Sequence, residues 1–530
     1  MYYSDAPRLL RPSAAEATPT HRSLFACLLL IVLAGSLPVF GSSPDSKRLV
    51  REAQRLNRDG LFDQAEVILR GVLETDPSHS AAKVELAFSL NKQRRVREAY
   101  DIVFPVVAAE PKNSRAFAVL GGVLLTAGRF REARIALRNS VVLNRREDLA
   151  WATAGLLDYY ENRVEDSLAN LREAIYYKPF EPDYLFAFAQ VSARAEKFRD
   201  AADAYSRFLN VSSKSDTDRR ERIKSLIGFL RFLGDRDNLY EIGGSTSTSV
   251  KFDLVGDRPI IQVKLNERRE PYRFVLDTGS GISVISKTTA EDLKIREITR
   301  GGFAKGIGGD GRFEIVYGFL RQIEIGDVAV RNVPIYIRDF HSDAQRVDGY
   351  IGLAVISKFL ATIDYGELSF SLTREANDRK AMDEASASFG LPLRLTSSGF
   401  LSGEVKLDGI ENELNFIVDT GASISVISDR VANIDSIKQY ENEYRHRVIG
   451  SAGVTENVPS YLLPKVTFGP YSRSQINAIA LNLDVINEAS GFEQAGILGG
   501  NFLKNYKLTF DFRNSRVTFA SVVPEAEQPK

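Results

Sequence analysis

Apolar residues follow two regimes along the chain. From residue 45 to about 235 they recur at the spacing of amphipathic helices, as in Ala65, Ile68, Leu69, Val72 and Leu73. That helical pattern itself repeats. Gly60-x-Phe62-x-x-Ala65 returns as Arg94-x-Val96-x-x-Ala99, Gly128-x-Phe130-x-x-Ala133, Asn162-x-Val164-x-x-Ser167 and Glu196-x-Phe198-x-x-Ala201, each 34 residues after the last. Asp76-Pro77, Glu110-Pro111, Asn144-Arg145 and Lys178-Pro179 keep the same step. Beyond residue 249 short β-rich runs take over, bounded by Gly, Pro or Asn. They include Ile260 to Leu265, Glu314 to Phe319 and Val333 to Ile337, then Leu401 to Leu407, Leu414 to Val418 and Ile476 to Leu481. The pattern predicts an all-α repeat region followed by an all-β region.

The 34-residue period, with its small, aromatic and proline positions, resembles tetratricopeptide repeats. Small residues such as Ala65 and Ala99 let paired helices approach closely, and the turn proline ends the second helix of each pair. The resemblance implies a solenoid over residues 45–235 whose concave face binds a protein or peptide partner. Tyr159, Tyr160, Tyr176, Tyr177 and Tyr184 are candidates for that face, although aromatics at helical spacing are more often core. An amphipathic helix from Asp216 to Leu233 is expected to cap the stack, and 236–248, rich in Gly, Ser and Thr, reads as a linker.

The β region is a tandem duplication. Phe274-Val275-Leu276-Asp277-Thr278-Gly279-Ser280 is matched by Phe416-Ile417-Val418-Asp419-Thr420-Gly421-Ala422, 142 positions on. Each run continues into Ile-Ser-Val-Ile-Ser. Each copy then carries a glycine-rich turn, Gly306 to Gly311 (with Gly308 and Gly309) or Gly450 to Gly453. Each closes on Ile351-Gly352 or Leu498-Gly499, with an Asp (Asp364 or Asp511) 12 residues after the Gly. These Asp residues, near each copy's end, read as structural. The first glycine turn leads into Phe313 to Tyr317, a strand rather than a helix, which excludes a dinucleotide fingerprint.

Duplicated Asp-Thr-Gly on a strand with a downstream apolar-apolar-Gly resembles retroviral-type (retropepsin-like) aspartic proteases, here two halves in one chain. The resemblance implies two β-barrel lobes, 249–373 and 391–522, joined by 374–390. It implies a catalytic pair, Asp277 and Asp419, at their junction. Thr278 and Thr420 would brace the two loops, and Gly279 and Gly421 would leave room for substrate. Ile351-Gly352 and Leu498-Gly499 would pass behind the loops, and Gly308, Gly309, Gly450 and Gly453 would lie in flaps. Ser280 against Ala422 makes the pair asymmetric. A hydroxyl donor at Ser280 is expected to favour charge on Asp277. Both halves lie in one chain, so a monomeric catalytic unit is expected. The flap tyrosine of pepsin-like enzymes has no counterpart beyond the nearby Phe313.

Two carboxyl groups a few ångströms apart share a proton, so one acts as base toward water and the other as acid toward a carbonyl. The substrate class that the resemblance implies is polypeptide. The rival reading is a non-catalytic, peptide-binding scaffold.

Composition narrows the alternatives. Lys+Arg and Asp+Glu balance at 69 each in 530 residues, which gives no electrostatic case for nucleic acid. Cys27 is the single cysteine and the four histidines are scattered, so no cofactor, disulfide or metal site is expected. Arg8, Arg11 and Arg22 precede an uncharged stretch, 23–44, centred on Leu24 to Leu33 and broken by small and turn residues. This is the layout of a signal peptide over residues 1–42, with an uncleaved membrane anchor as the competing reading. Either places the protein outside the cytoplasm, periplasmic or secreted. Residues 523–530 read as a tail.

Overall fold

The computed structural model describes residues 44–214, 217–309, 311–340, 347–374 and 390–522. The expected signal segment 1–42, the tail 523–530, Asp310 and all but the ends of the predicted linker 374–390 lie outside the described residues. Among the described residues no helix is long and apolar enough to cross a membrane.

Residues 44 to 211 stack as five helical hairpins, from Pro44–Arg58 with Phe62–Thr75 to Pro182–Arg194 with Phe198–Val211. The repeated small residues Ala65, Ala99, Ala133, Ser167 and Ala201 are all fully buried where paired helices meet. Ser167 tolerates this because its hydroxyl donates to the Gly155 carbonyl at 2.6 Å. Each hairpin turns through a left-handed residue: Gly60, Arg94, Gly128, Asn162 and Glu196. Three of these five are not glycine, and their side chains explain why. Arg94 donates to the carbonyls of Asn487 and Gly491. Asn162 Nδ2 donates to the Phe512 carbonyl at 2.9 Å, and Glu196 pairs with Lys358. The turn edge of the solenoid is thus docked along the β region. A left-handed non-glycine residue costs roughly 1 kcal/mol, which these contacts offset.

The proposed concave-face tyrosines do not act as a set. Tyr159 and Tyr160 are buried, with the Tyr159 hydroxyl on the Ser397 carbonyl, and Tyr184 is buried with its hydroxyl 2.6 Å from Asp148. Tyr176 is exposed.

The eleventh helix, Thr217–Gly234, follows the stack as expected but also packs on the first β lobe. The ring of Phe229 lies 4.4 Å from that of Tyr317, and Phe232 lies 5.6 Å from Phe319. The predicted linker 236–248 needs correction. Glu241–Gly244 pairs with Val328–Arg338, and Ser247–Lys251 pairs with Ser369–Thr373. Backbone pairing to waiting strand edges, with Val250 packed on the core, overrides a loop-like composition.

Among the described residues, the β region forms two sheet-rich lobes of nine and eight strands and a third, six-stranded sheet built from both copies. Its order is Gly390–Pro392, Arg516–Ser521, Tyr506–Asp511, Leu360–Asp364, Ser369–Thr373, Ser247–Lys251. The central pairing, Ala361 with Phe510 and Ile363 with Leu508, joins the two copies. The lobes expected at 249–373 and 391–522 therefore share a sheet and one continuous apolar core. Asp364 and Asp511 hold hairpin turns in this sheet. Asp364 accepts from the amides of Gly366 and Glu367, and Asp511 accepts from Asn514.

Candidate active site

Each Asp-Thr-Gly loop leaves a buried strand, Tyr272–Leu276 or Leu414–Val418. Parallel pairing sets Leu276 beside Ile351 and Val418 beside Leu498, both partners fully buried. The next amide in each loop completes the ladder. Asp277 N–H donates to Ile351 O and Asp419 N–H to Leu498 O, both at 3.0 Å. Gly352 and Gly499 let the crossing strand pass behind. Their amides donate to Ser283 Oγ and Ser425 Oγ, two serines of the repeated run that sequence reasoning left without a role.

The two loops are locked to each other by the threonines, both fully buried. Thr278 Oγ1 donates to Val418 O at 2.7 Å and accepts from Thr420 N–H at 3.1 Å. Thr420 Oγ1 donates to Leu276 O at 2.6 Å and accepts from Thr278 N–H at 3.2 Å. Replacing Thr278 by Val keeps the shape but orphans the Val418 carbonyl and the Thr420 amide. At roughly 1–3 kcal/mol for each buried unsatisfied group, the variant should lose about 2–6 kcal/mol. Urea unfolding checks this, and a loss below about 1 kcal/mol would mean that the loops are held by something else.

This lock brings Asp277 and Asp419 into hydrogen-bonding contact. Each glycine backs onto the other lobe's carboxyl group. A methyl on Gly279 would lie 2.5 Å from Asp419 Cγ, and one on Gly421 would lie 2.7 Å from Asp277 Oδ1. Burial pushes both carboxyl groups above the ordinary carboxylate range, Asp277 well above it because Asp419 adds its negative charge. The amides of Gly421, Ala422 and Gly279 favour charge on Asp419, and the Gly421 N–H lies 2.7 Å from its Oδ1. Asp277 accepts from Gly279 N–H at 2.9 Å. This set of donors favours charge on Asp419 and so weights the shared proton toward Asp277. This reverses the polarity expected from Ser280. Its hydroxyl turns away and donates to Ile282 O at 2.7 Å, so it gives Asp277 no support.

The glycine turns lie at the tips of two hairpins, Thr299–Lys305 with Arg312–Ile325 and Glu441–Gly450 with Gly453–Phe468. The tips meet. Ala452 N–H donates to Ile307 O at 2.8 Å, and Gly309 N–H donates to Val454 O at 3.2 Å. Gly308, Gly309, Gly450 and Gly453 all lie in this contact. A methyl on Gly308 would fall 2.1 Å from the Gly453 carbonyl oxygen, so only bare backbone fits. Arg338, which sequence reasoning missed, reaches from the first lobe to the second tip and donates to Ser451 O at 2.7 Å.

Residues 261–355 and 403–502 both match the aspartyl protease family, and residues 56–121 match the tetratricopeptide repeat family. Both lobes are aspartyl protease-family domains. No curated protein matches the chain. Among solved structures, a thermophilic tetratricopeptide protein of Thermus thermophilus is 21% identical over 34% of this chain and 98% of its own, with a TM-score of 0.30. Pseudomonas aeruginosa PilF is 18% identical over 36% and 86%, with a TM-score of 0.28. The lobes that match the aspartyl protease family follow a helical solenoid whose residues 56–121 match the tetratricopeptide repeat family.

Proposed function

We propose that the chain is an exported aspartic endopeptidase whose solenoid recruits a substrate or partner. The observation that carries this reading is the contact of two carboxyl groups that share one proton, each braced by the other lobe's threonine and glycine. In this reading Asp419, charged, removes a proton from water as its oxygen bonds to the peptide carbonyl carbon. Asp277 gives its proton to the carbonyl oxygen. The tetrahedral species collapses as the proton on Asp419 passes to the leaving nitrogen, the C–N bond breaks, and one hydroxyl of the gem-diol returns its proton to Asp277 as it becomes the carbonyl of the new carboxyl group. The paired hairpin tips act as flaps that part to admit a polypeptide. Export rests on the basic, apolar and small-residue order of the first 42 residues, and the place of action is the periplasm or beyond.

Incubating the full chain with an unstructured polypeptide, with and without a statine-type inhibitor, tests the reading. Inhibitor-sensitive fragments are expected across an acidic pH series. Intact substrate at every pH, with peptide still bound, would establish the scaffold reading instead.

A further inference from the structure

The duplication allows the two cleft walls to be compared position by position. Ser286 pairs with Arg338 in the first lobe, and its counterpart Ser428 pairs with Leu481 in the second. Val284 pairs with Tyr350, and its counterpart Val426 pairs with Ile497. At matched places, then, the first lobe carries Arg338 and Tyr350 where the second carries two buried aliphatic residues. Ile307, Phe400, Ala422 and Val448 extend the apolar wall of the second lobe.

Arg338 is only partly satisfied. Its guanidinium lies 5.2–5.9 Å from the ring centres of Phe313, Phe340 and Tyr350, and one nitrogen donates to the Ser451 carbonyl. Its Nε is buried and has no hydrogen-bond partner among the described residues. A guanidinium has five N–H donors, and a buried one left idle is costly. Its charge is felt at Asp277, so it reaches both that carboxyl electrostatically and the tip of the second flap by a hydrogen bond. Tyr350 is itself bonded to a second guanidinium, that of Arg258.

We propose that Arg338 is a specificity residue that receives an acidic side chain of the substrate next to the scissile bond, while the matching wall of the second lobe receives an aliphatic one. This rests on the endopeptidase reading above. The lobes are related by the two-fold-like exchange of Thr278 and Thr420. An extended peptide crossing that axis presents the two residues flanking its cut bond to equivalent wall positions. A carboxylate can take Arg338 Nε and a neighbouring N–H together, the two-point geometry a guanidinium offers best. The rings around it exclude water and hold the guanidinium plane in place.

The test is a library of peptides blocked at both ends, cut by the full chain and read by mass spectrometry. Asp or Glu is expected at one position flanking the cut and Ile, Leu or Val at the other. Arg338→Leu, which copies the second lobe, should lower kcat/KM on acidic peptides roughly ten- to hundredfold, the size of one charge-assisted hydrogen bond, mainly through KM. It should also admit aliphatic residues at both positions. Arg338→Lys, which keeps the charge, should retain a weaker acidic preference, and this covers the case in which the Leu variant folds poorly. A wild-type profile without acidic enrichment, or one unchanged in Arg338→Leu, would overturn the proposal. A binding measurement separates this from the parent reading. Asp277→Asn keeps the net charge of the pair, because two carboxyl groups that share one proton carry a single negative charge. By fluorescence polarisation it should bind a Glu-Leu peptide more tightly than its Leu-Leu analogue, and lose the difference with Arg338→Leu. Such binding without any wild-type cleavage would count against the endopeptidase reading alone. Equal binding of the two peptides would count against Arg338.

Discussion

Asp277→Asn and Asp419→Asn should each lower the rate of peptide cleavage by about three orders of magnitude, within the range assigned to a general acid or base. Mixing the two variants should restore nothing. The threonine lock and the shared sheet join the lobes within one chain, where effective concentration outweighs any partner in solution. Recovery on mixing would show that lobes pair between chains. The same variants carry a stability signature of defined sign. Both carboxyl groups are raised by folding, so the native state binds protons more tightly than the unfolded chain. Their contribution is most favourable below the ordinary carboxylate pKa of about 4, and it declines as pH rises toward the elevated native values. Asp277→Asn removes that decline. The variant should melt above the wild type near neutral pH, and the gap should close as pH falls toward 4. A gap that is constant with pH would mean that the pair is not strained by burial.

Severing the solenoid should have an effect of comparable size. The repeat period alone implies an independent module, so that a chain starting near Ser245 would fold and cut short peptides unaided. The packing implies the opposite. Helix Thr217–Gly234 lies against the outer strand of the first flap, with Ser225 Oγ on the Arg300 carbonyl at 3.2 Å and Asp218 paired with Arg312. A chain starting at Ser245 would expose Tyr317 and Phe319 and lose the turn-edge contacts of Arg94, Asn162 and Glu196. It should aggregate or be inert toward even a short peptide. In the full chain, Phe229→Ala removes a ring that is 2% exposed and should cost about 3–5 kcal/mol. Its larger consequence should be on cleavage, because Tyr317 lies on the flap strand. A soluble, folded fragment with undiminished activity would refute the coupling.

What could be read from the chain was whatever repeats. The 34-residue ladder and the 142-residue duplication are self-similarities, and they located the helix hairpins and the pair of aspartates without any knowledge of packing. What escaped was set by partners distant in sequence. Ser247–Lys251 looks like a loop until the edge of Ser369–Thr373 is beside it, although its Val and Thr alternate as a strand would. Ser280 looked like a donor to a carboxylate, but its own loop offered Ile282 O, a nearer acceptor. Arg94, Asn162 and Glu196 broke the glycine pattern of their turns, and that irregularity was the one visible sign that the turn edge had a partner. Arg338 left a fainter sign: aligning the copies by their common Ile-Ser-Val-Ile-Ser run sets this cation against Ala480, one residue short of the Leu481 that strand pairing makes its counterpart.

The six-stranded sheet also bears on when activity begins. Its strands come from residues 247–251, 360–373, 390–392 and 506–521, so it draws on the start and the finish of the β region alike. Pairings this distant in sequence close slowly, and that of Leu360–Asp364 with Tyr506–Asp511 cannot close before the latter strand has left the ribosome. The solenoid, built from neighbours, can be complete long before. Until residues 506–521 arrive, Leu360–Asp364 lacks its mate in the other copy and the first aspartate has no fixed counterpart. On the endopeptidase reading proposed above, chain order thus works as a timer: the two aspartates are not held together until residues 506–511 have been made.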